Sequence, residues 1–275
     1  MGDKIKKGIL YACLVFLALI CLLPFYLMMI NSTRSGVEIV TSFSMLPGKS
    51  IGENWRVIKN YFNLFQGMKN SLLVAIPVTL LSGYFSAITA YALAMYKFKG
   101  RGVIFGVILI FMMIPSQLSL IGFYNLISSL KLINSYIPLI VPAIASPGIV
   151  FFLKQYLESV LSPSLLEAAR IDGAKELYIF HRIVFPIMMP GIATMSIGTF
   201  IGSWNNYLLP LVLLTKTEKF TLPVLVASLK SSTDIVANQG ATYLSVAISV
   251  IPIIVAFIFF SRYIIDSIGA GAVKE

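Results

Sequence analysis

Long apolar runs separated by polar connectors dominate the chain. Each run contains no Asp, Glu, Lys or Arg and has about the 20 residues that a helix needs to cross a bilayer. The chain is therefore predicted to be an all-α integral membrane protein, one domain over residues 1–275, with six transmembrane helices. The predicted spans are residues 8–30, 71–95, 103–123, 136–153, 186–214 and 241–261.

The composition supports burial in lipid and excludes a water-soluble domain. Hydrophobic residues make up 58% of the chain, charged residues 12%, and the mean hydropathy is +0.89. A net charge of +10 would suit a nucleic-acid ligand, but the cations are spread between the spans, so no nucleic acid is expected. Cys13 and Cys21 lie on one predicted helix, too far apart for a mutual disulfide.

The distribution of Lys and Arg predicts that both termini face the cytosol. The first apolar run is too long for a secretory signal and lacks its small-residue cleavage site, so it is predicted to stay as an uncleaved span. With its basic end inside, the cytosolic segments carry 12 of the 21 Lys and Arg residues. The predicted external loop, residues 31–70, carries five cations and weakens this topology.

Every predicted span contains at least one proline. Proline removes a backbone donor and kinks a helix, which membrane proteins tolerate where neighbouring helices or cavity water satisfy the freed carbonyls. Two interpretations stay open: the ordinary composition of membrane helices, or helices bent around a pathway.

The most informative connector is residues 162–186, SPSLLEAARIDGAKELYIFHRIVFP. It offers two helix starts. In the first, Ser162 is the cap and Pro163 takes the first helical position. In the second, Ser164 and Glu167 form a capping box. Either start places Glu167 near the positive end of a short helix, where an acidic side chain is favourable.

Gly173 predicts the end of that helix. A second helix, residues 174–184, is then predicted to stop before Pro186, because the residue that precedes proline avoids the α region. The expected result is a helix, a glycine corner and a second helix.

The first of these helices has a face with very little side-chain bulk, at Ala168 and Ala169. Leu165, Leu166 and Ile171 are predicted to be apolar knobs beside that face. Such a helix suits a groove on a partner protein, although an amphipathic helix lying along the membrane surface has the same composition. The spacing of the whole segment favours the partner.

The segment resembles the cytosolic loop of the membrane subunits of ATP-binding-cassette importers. That loop carries Glu-Ala-Ala, three residues, Gly, nine residues, then Ile, any residue, Leu and Pro. This chain departs from the pattern in having Phe185 where Leu is usual. The matching residues are Glu167, Ala168, Ala169, Gly173, Ile183 and Pro186.

The extended form EAARIDGA at residues 167–174 resembles the carbohydrate-uptake branch of these importers, as do Trp204-Asn205 and the ending, residues 262–274. Within that branch the chain is similar to the maltose-type second, shorter permease. The resemblance implies a heterodimer with a homologous permease, two ATPase subunits that bind ATP and Mg²⁺, and an extracytoplasmic solute-binding protein. It also implies import of a sugar, an oligosaccharide or a similar neutral polyol across a prokaryotic cytoplasmic (inner) membrane.

By the same resemblance, the first helix and its corner form a coupling helix that docks in a cleft of the ATPase. The implied coupling residues are Glu167, Ala168, Ala169, Arg170, Asp172 and Gly173, with Ile183 and Pro186 supporting the loop. Residues 269–275 are a weaker candidate for ATPase contact.

The sequence carries no evident energy source or catalytic site of its own. Gly48-Lys49-Ser50 supplies only the end of a phosphate-binding loop, since Phe43 stands where its first glycine is needed. The spans lack the ionisable side chain that an ion-coupled secondary transporter usually needs, although sodium sites built from carbonyls and hydroxyls keep that alternative open. His181, the single histidine, has no cysteine or carboxylate cluster beside it, so neither a metal site, a resident cofactor nor an enzyme is expected.

A solute-contact surface in uncharged spans must use neutral side chains. Amides supply hydrogen-bond donors and acceptors, and aromatic rings pack on C–H surface, so both suit a hydroxyl-rich solute. Interhelical hydrogen bonding or interfacial anchoring would use the same residues. The candidate solute-contact residues are Gln117, Asn125, Trp204, Asn205, Asn206 and Tyr207. The external loops, residues 31–70 and 215–240, are the predicted surfaces for a solute-binding protein.

Overall fold

The structure, a computed structural model, describes residues 2–230, 236 and 238–272. Every regular element in this part of the chain is helical, as predicted. In chain order the α-helices are α1 (Gly2–Ser32), α2 (Gly36–Thr41), α3 (Ile51–Tyr61), α4 (Leu64–Met95), α5 (Arg101–Met113), α6 (Leu120–Ser129), α7 (Ile137–Ile140), α8 (Pro147–Val160), α9 (Pro163–Ile171), α10 (Glu176–Ile179), α11 (Phe185–Trp204), α12 (Leu208–Leu213), α13 (Leu222–Lys230) and α14 (Gln239–Ala272).

Five helical segments of the described residues are long and apolar enough to cross a membrane. They are Lys4–Ser32, Leu64–Met95, Ile137–Val160, Glu176–Trp204 and Gln239–Ser261. A sixth crossing is formed if the pair Arg101–Met113 and Gln117–Ser129, bent by 85°, counts as one span. The structure is thus consistent with six spans, although several of them begin and end at other residues than predicted.

The third predicted span, residues 103–123, is not one straight helix. α5 ends at Met113, and a 3₁₀ turn at Ser116–Ser119 leads into α6. Ile114 has an extended conformation (φ −81°, ψ 120°) because it precedes Pro115. Here proline ends a helix, which favours the interpretation of bent helices. Other prolines, among them Pro24, Pro77, Pro190 and Pro252, lie inside helices that continue past them.

The fourth and fifth spans also differ from their predicted bounds. α8 continues past Leu153 to Val160. It can do so because the buried Lys154 ammonium lies 2.7 and 2.8 Å from the two carboxylate oxygens of Glu158, one helical turn further on. The fifth span ends at Trp204, and α12 is a separate short helix after it.

The chain packs as two compact units, Met1–Gly67 with Val224–Ile251, and Met68–Pro223 with Pro252–Glu275. That the whole chain acts as one permease domain stays a prediction. In the first unit the buried Arg34 donates from its guanidinium to the carbonyl oxygens of Glu38 and Ser42, each at 2.8 Å. One of the five cations that weakened the predicted topology therefore has a structural role.

The segment Gly48-Lys49-Ser50 also belongs to the first unit, where it closes a turn before α3. The Gly48 amide donates to the hydroxyl of Thr33, and the Ser50 amide donates to the carbonyl of Thr33, both at 2.8 Å. Amides that are used in this way are not arranged to wrap a phosphate.

The core of the second unit lies where α4, α8, α9 and the beginning of α11 pack together. Its largest fully buried side chains include Leu153, Leu157, Ile179, Phe180, Val184 and Met188. The connector at residues 162–186 is therefore not a loose loop, because its two helices contribute buried residues to this core.

Candidate functional site

The connector begins with the first of its two predicted helix starts. Ser162 is the N-cap of α9 and Pro163 takes the first helical position. The Ser164 hydroxyl lies 2.7 Å from that of Ser162 and does not cap the helix with Glu167. The capping-box alternative is thus not adopted.

The predicted corner forms at Gly173, whose φ is +79°. The Gly173 amide donates to the carbonyl of Arg170 and the Ala174 amide to that of Ala169, both at 3.0 Å. These two bonds form a Schellman motif, which satisfies carbonyls that the end of α9 would leave unpaired. The left-handed conformation explains why glycine stands here.

The two sides of α9 face different surroundings. Leu166 and Ala169, three residues apart and thus on one side of the helix, are 2% and 9% exposed in the core of the second unit. The sequence predicted that Leu166 is an apolar knob available to a partner. That prediction was wrong, because the Leu166 side chain is buried within its own chain. Leu165 and Ile171 are 44% and 86% exposed. From Leu165 onward, the exposed residues of α9 are Leu165, Glu167, Ala168, Arg170 and Ile171.

A cluster of polar groups joins the connector to the end of α4. The Arg170 Nε donates to Glu176 Oε1 at 2.7 Å. The hydroxyls of Tyr91 and Tyr96 both donate to Glu176 Oε2, that of Tyr91 at 3.2 Å. The Arg170 guanidinium also lies over the Tyr96 ring, 5.5 Å from its centroid. Sequence reasoning missed Glu176, Tyr91 and Tyr96, because no helical spacing rule connects residues across a corner.

The cluster keeps its protonation state at physiological pH. The hydrogen bond to Glu176 raises the pKa of the Arg170 guanidinium further above its already high value. Burial, followed by the hydrogen bond to Glu176, raises the pKa of the Tyr96 hydroxyl. Arg170 therefore stays charged and Tyr96 stays a donor.

The second helix of the connector does not stop before Pro186, so that prediction was wrong. α10 continues through a π-helical turn, Phe180–Val184, into α11. The Phe185 amide donates to the carbonyl of Phe180, five residues back, and this wider turn accommodates a proline that has no N–H to donate. Ile183 is half-buried against the core, and Pro186 is exposed.

A concavity of about 510 Å³ lies at the glycine corner. It is lined by Ala169, Asp172, Gly173, Ala174, Lys175, Tyr178 and Ile183. The structure thus brings four of the residues implied for coupling and support, Ala169, Asp172, Gly173 and Ile183, to one surface.

Two of the six candidate solute-contact residues meet at another cavity of the second unit. Gln117 comes from the 3₁₀ turn between α5 and α6, and Asn206 from the link between α11 and α12. They line a volume of about 370 Å³ together with Ser119 and apolar residues of α6, α7 and α12, and no charged side chain is in this lining. The cavity offers amide groups between apolar walls.

The other four candidates lie elsewhere. Trp204 is 1% exposed and stacks on Phe200 with ring centroids 6.0 Å apart, so it is part of the packing of α11. Asn125, Asn205 and Tyr207 are exposed, and they do not line the cavity of Gln117 and Asn206.

Apolar spans and a connector that is buried on one side and exposed on the other are typical of a membrane protein that contacts a partner through this connector. Residues 62–269 match the family described as "Binding-protein-dependent transport system inner membrane component". The chain belongs to this family: it is a permease subunit of an ATP-binding-cassette importer.

Individual relatives agree with this assignment. The chain is 36% identical over 263 residues to the arabinooligosaccharides transport system permease protein AraQ of Halalkalibacterium halodurans, with 94% of this chain and 93% of AraQ covered. It is 30% identical over 275 residues to the diacetylchitobiose uptake system permease protein NgcG of Streptomyces coelicolor, with 99% and 91% covered. These relationships favour the importer over an ion-coupled secondary transporter.

The fold is similar to that of a chain in the crystal structure of a bacterial ABC transporter involved in the import of the acidic polysaccharide alginate. The TM-score is 0.78, the match covers 96% of this chain and 98% of that one, and the sequences are 24% identical. This similarity concerns the fold alone.

Proposed function

We propose that this permease pairs with a second, homologous permease and two ATPase subunits, and imports a sugar, an oligosaccharide or a similar neutral polyol. A solute-binding protein delivers the solute to the external loops. ATP and Mg²⁺ are bound by the ATPase subunits, which hydrolyse the ATP. Both termini and residues 162–186 face the cytosol.

The main support for docking to the ATPase is that α9 is buried on one side and exposed on the other. Its inner side is fixed in the core of the second unit, while Leu165 and Ile171 are exposed on the other side. Exposed apolar side chains next to a concavity suit an interface with a partner protein. Because α9 is fixed in this core, a displacement of α9 by the partner can be transmitted to the spans with which it packs.

The solute class rests on the cavity of Gln117 and Asn206. Its polar groups are uncharged, and amides can donate to and accept from hydroxyl groups. The names of the relatives AraQ and NgcG specify arabinooligosaccharides and diacetylchitobiose, both rich in hydroxyl groups.

Replacing Gln117 and Asn206 together by alanine should raise the KM for arabinotriose uptake about tenfold, because each lost amide removes hydrogen bonds to the solute. The measurement is uptake of radiolabelled arabinotriose into proteoliposomes that contain the complete complex. Gln155→Ala, which removes an exposed amide of α8, is the matched control. An unchanged KM in the double variant would place the solute contacts in the partner permease.

The energy source can be tested in whole cells. Uptake of radiolabelled arabinotriose should continue when ionophores collapse the proton and sodium gradients while ATP is maintained. It should stop when ATP is depleted and the gradients are imposed. The reverse pattern would contradict the proposed function, because it identifies an ion-coupled carrier.

A further inference from the structure

The Glu176 carboxylate is the meeting point of three separate segments of the second unit. Arg170 reaches Oε1 from the last turn of α9. Tyr91 and Tyr96 reach Oε2 from the last turn of α4 and from the connector that follows it. Glu176 itself begins α10, where the positive end of the helix favours its negative charge. Both carboxylate oxygens are thus engaged by donors from elsewhere in the chain.

The rings around these groups hold the junction in place. Tyr91 is buried, packs edge-on against Tyr96 with centroids 5.4 Å apart, and lies 5.7 Å from the Phe180 ring. The hydroxyl of Tyr91 is therefore directed by packing, and it can reach Glu176 only while α10 keeps its position beside α4.

Without this junction, the polar link from the end of α9 to α10 would be the glycine corner alone. No heavy atom lies within 4 Å of where a β-carbon of Gly173 would stand, and the next residue, Ala174, is only partly buried against the core. The Arg170–Glu176 pair spans the corner from one helix to the next, and the two tyrosines connect the same carboxylate to α4.

We infer that Glu176 is a positioning residue that ties α9 to α4, so that displacement of α9 by the ATPase moves the second span as well as the fifth. This inference rests on the proposed function. Along the chain α9 is continuous with α8 before it and with α10 and α11 after it, whereas the carboxylate adds hydrogen bonds to Tyr91 of α4 and to Tyr96 just after it. Arg170 then acts inside its own chain rather than as an ATPase contact.

A charge swap distinguishes these two roles of Arg170. The measurement is the number of arabinotriose molecules taken up per ATP hydrolysed by the complete complex in proteoliposomes. Arg170→Glu and Glu176→Arg should each lower this ratio about threefold or more, while the ATPase subunits still co-purify. The double variant, R170E with E176R, should recover part of the ratio, because the ion pair across the corner is restored with its charges reversed while the two tyrosine hydroxyls lose their acceptor at position 176.

Lys99→Glu is the control, since it reverses an exposed cation on the connector that carries Tyr96. Its ratio should match that of the original chain. Tyr96→Phe should lower the ratio in part, because one of the donors to Glu176 is lost.

If the double variant is no better than the single variants, Arg170 contacts the ATPase directly and the inference is overturned. If the original chain does not retain ATPase subunits, the proposed function itself fails, which is a different result from failure of the swap.

Discussion

Replacing Gly173 by valine should detach the ATPase subunits from the purified complex and reduce uptake at least about tenfold. The φ of +79° is strongly disfavoured for a residue with a β-carbon, by about 1–2 kcal/mol, and more so for a β-branched one. Space is not the obstacle, since no heavy atom lies within 4 Å of the position of the new β-carbon. The chain would escape the strain by leaving the left-handed region, and both bonds of the Schellman motif would be lost.

Two further variants separate this effect from general damage. Gly100→Val introduces the same strain at a φ of +86° with equally open surroundings, in a connector outside residues 162–186. It should keep the ATPase subunits bound. Gly173→Asn should retain much of the uptake, because asparagine tolerates the left-handed region better than valine does. If Gly100→Val releases the ATPase subunits as readily as Gly173→Val, the corner has no special part in docking.

The helix and corner could be predicted because their causes are local. Serine and proline at a helix start, and glycine at its end, act within a few residues of the backbone that they shape. The inward side of α9 could not be predicted in the same way. Leu166 and Ala169 belong to a core that also contains residues of α4, about 70 residues or more earlier in the chain, and a helix with apolar residues on several sides does not reveal which side is covered.

The proline positions show a similar limit. The rule that a helix avoids the residue before proline holds at Pro115, where α5 ends. It fails at Pro186, because one wider π-helical turn provides for the missing donor. The rule identifies where the hydrogen-bond ladder is interrupted, but the surrounding packing decides whether the helix stops or continues.

Among the candidate solute-contact residues, the structure separates buried packing from cavity lining. Gln117 and Asn206 are far apart in the chain, and only the bend after α5 brings them to one cavity. Trp204 was equally plausible from its chemistry, but its stacking on Phe200 places it in the core. Residue type identifies an amide or an aromatic ring as a candidate for solute contact. Whether that side chain lines a cavity or is packed in the core depends on the tertiary structure.

Gly240→Ala should destabilise the first unit by about 2 kcal/mol or more, although alanine is normally the better helix former. A β-carbon at Gly240 would stand 2.3 Å from the carbonyl oxygen of Arg34 and 2.6 Å from the amide atoms of Asn54. The Asn54 amide is buried and donates to the carbonyl oxygens of Ser32 and Arg34, each at 2.9 Å. Displacing it would leave buried acceptors unpaired.

The measurement is thermal unfolding of the purified protein in detergent, where Gly240→Ala should lower Tm by roughly 4 °C or more. Gly52→Ala is the matched control, since Gly52 lies in α3 with no heavy atom within 4 Å of the new β-carbon. Alanine lowers the conformational entropy of the unfolded chain, so the Gly52→Ala variant should be slightly more stable than the original protein. Opposite signs for the same substitution would show that close approach of the chain, not helix propensity, requires glycine at position 240. Equal shifts for the two variants would contradict the packing of Gly240 against Asn54.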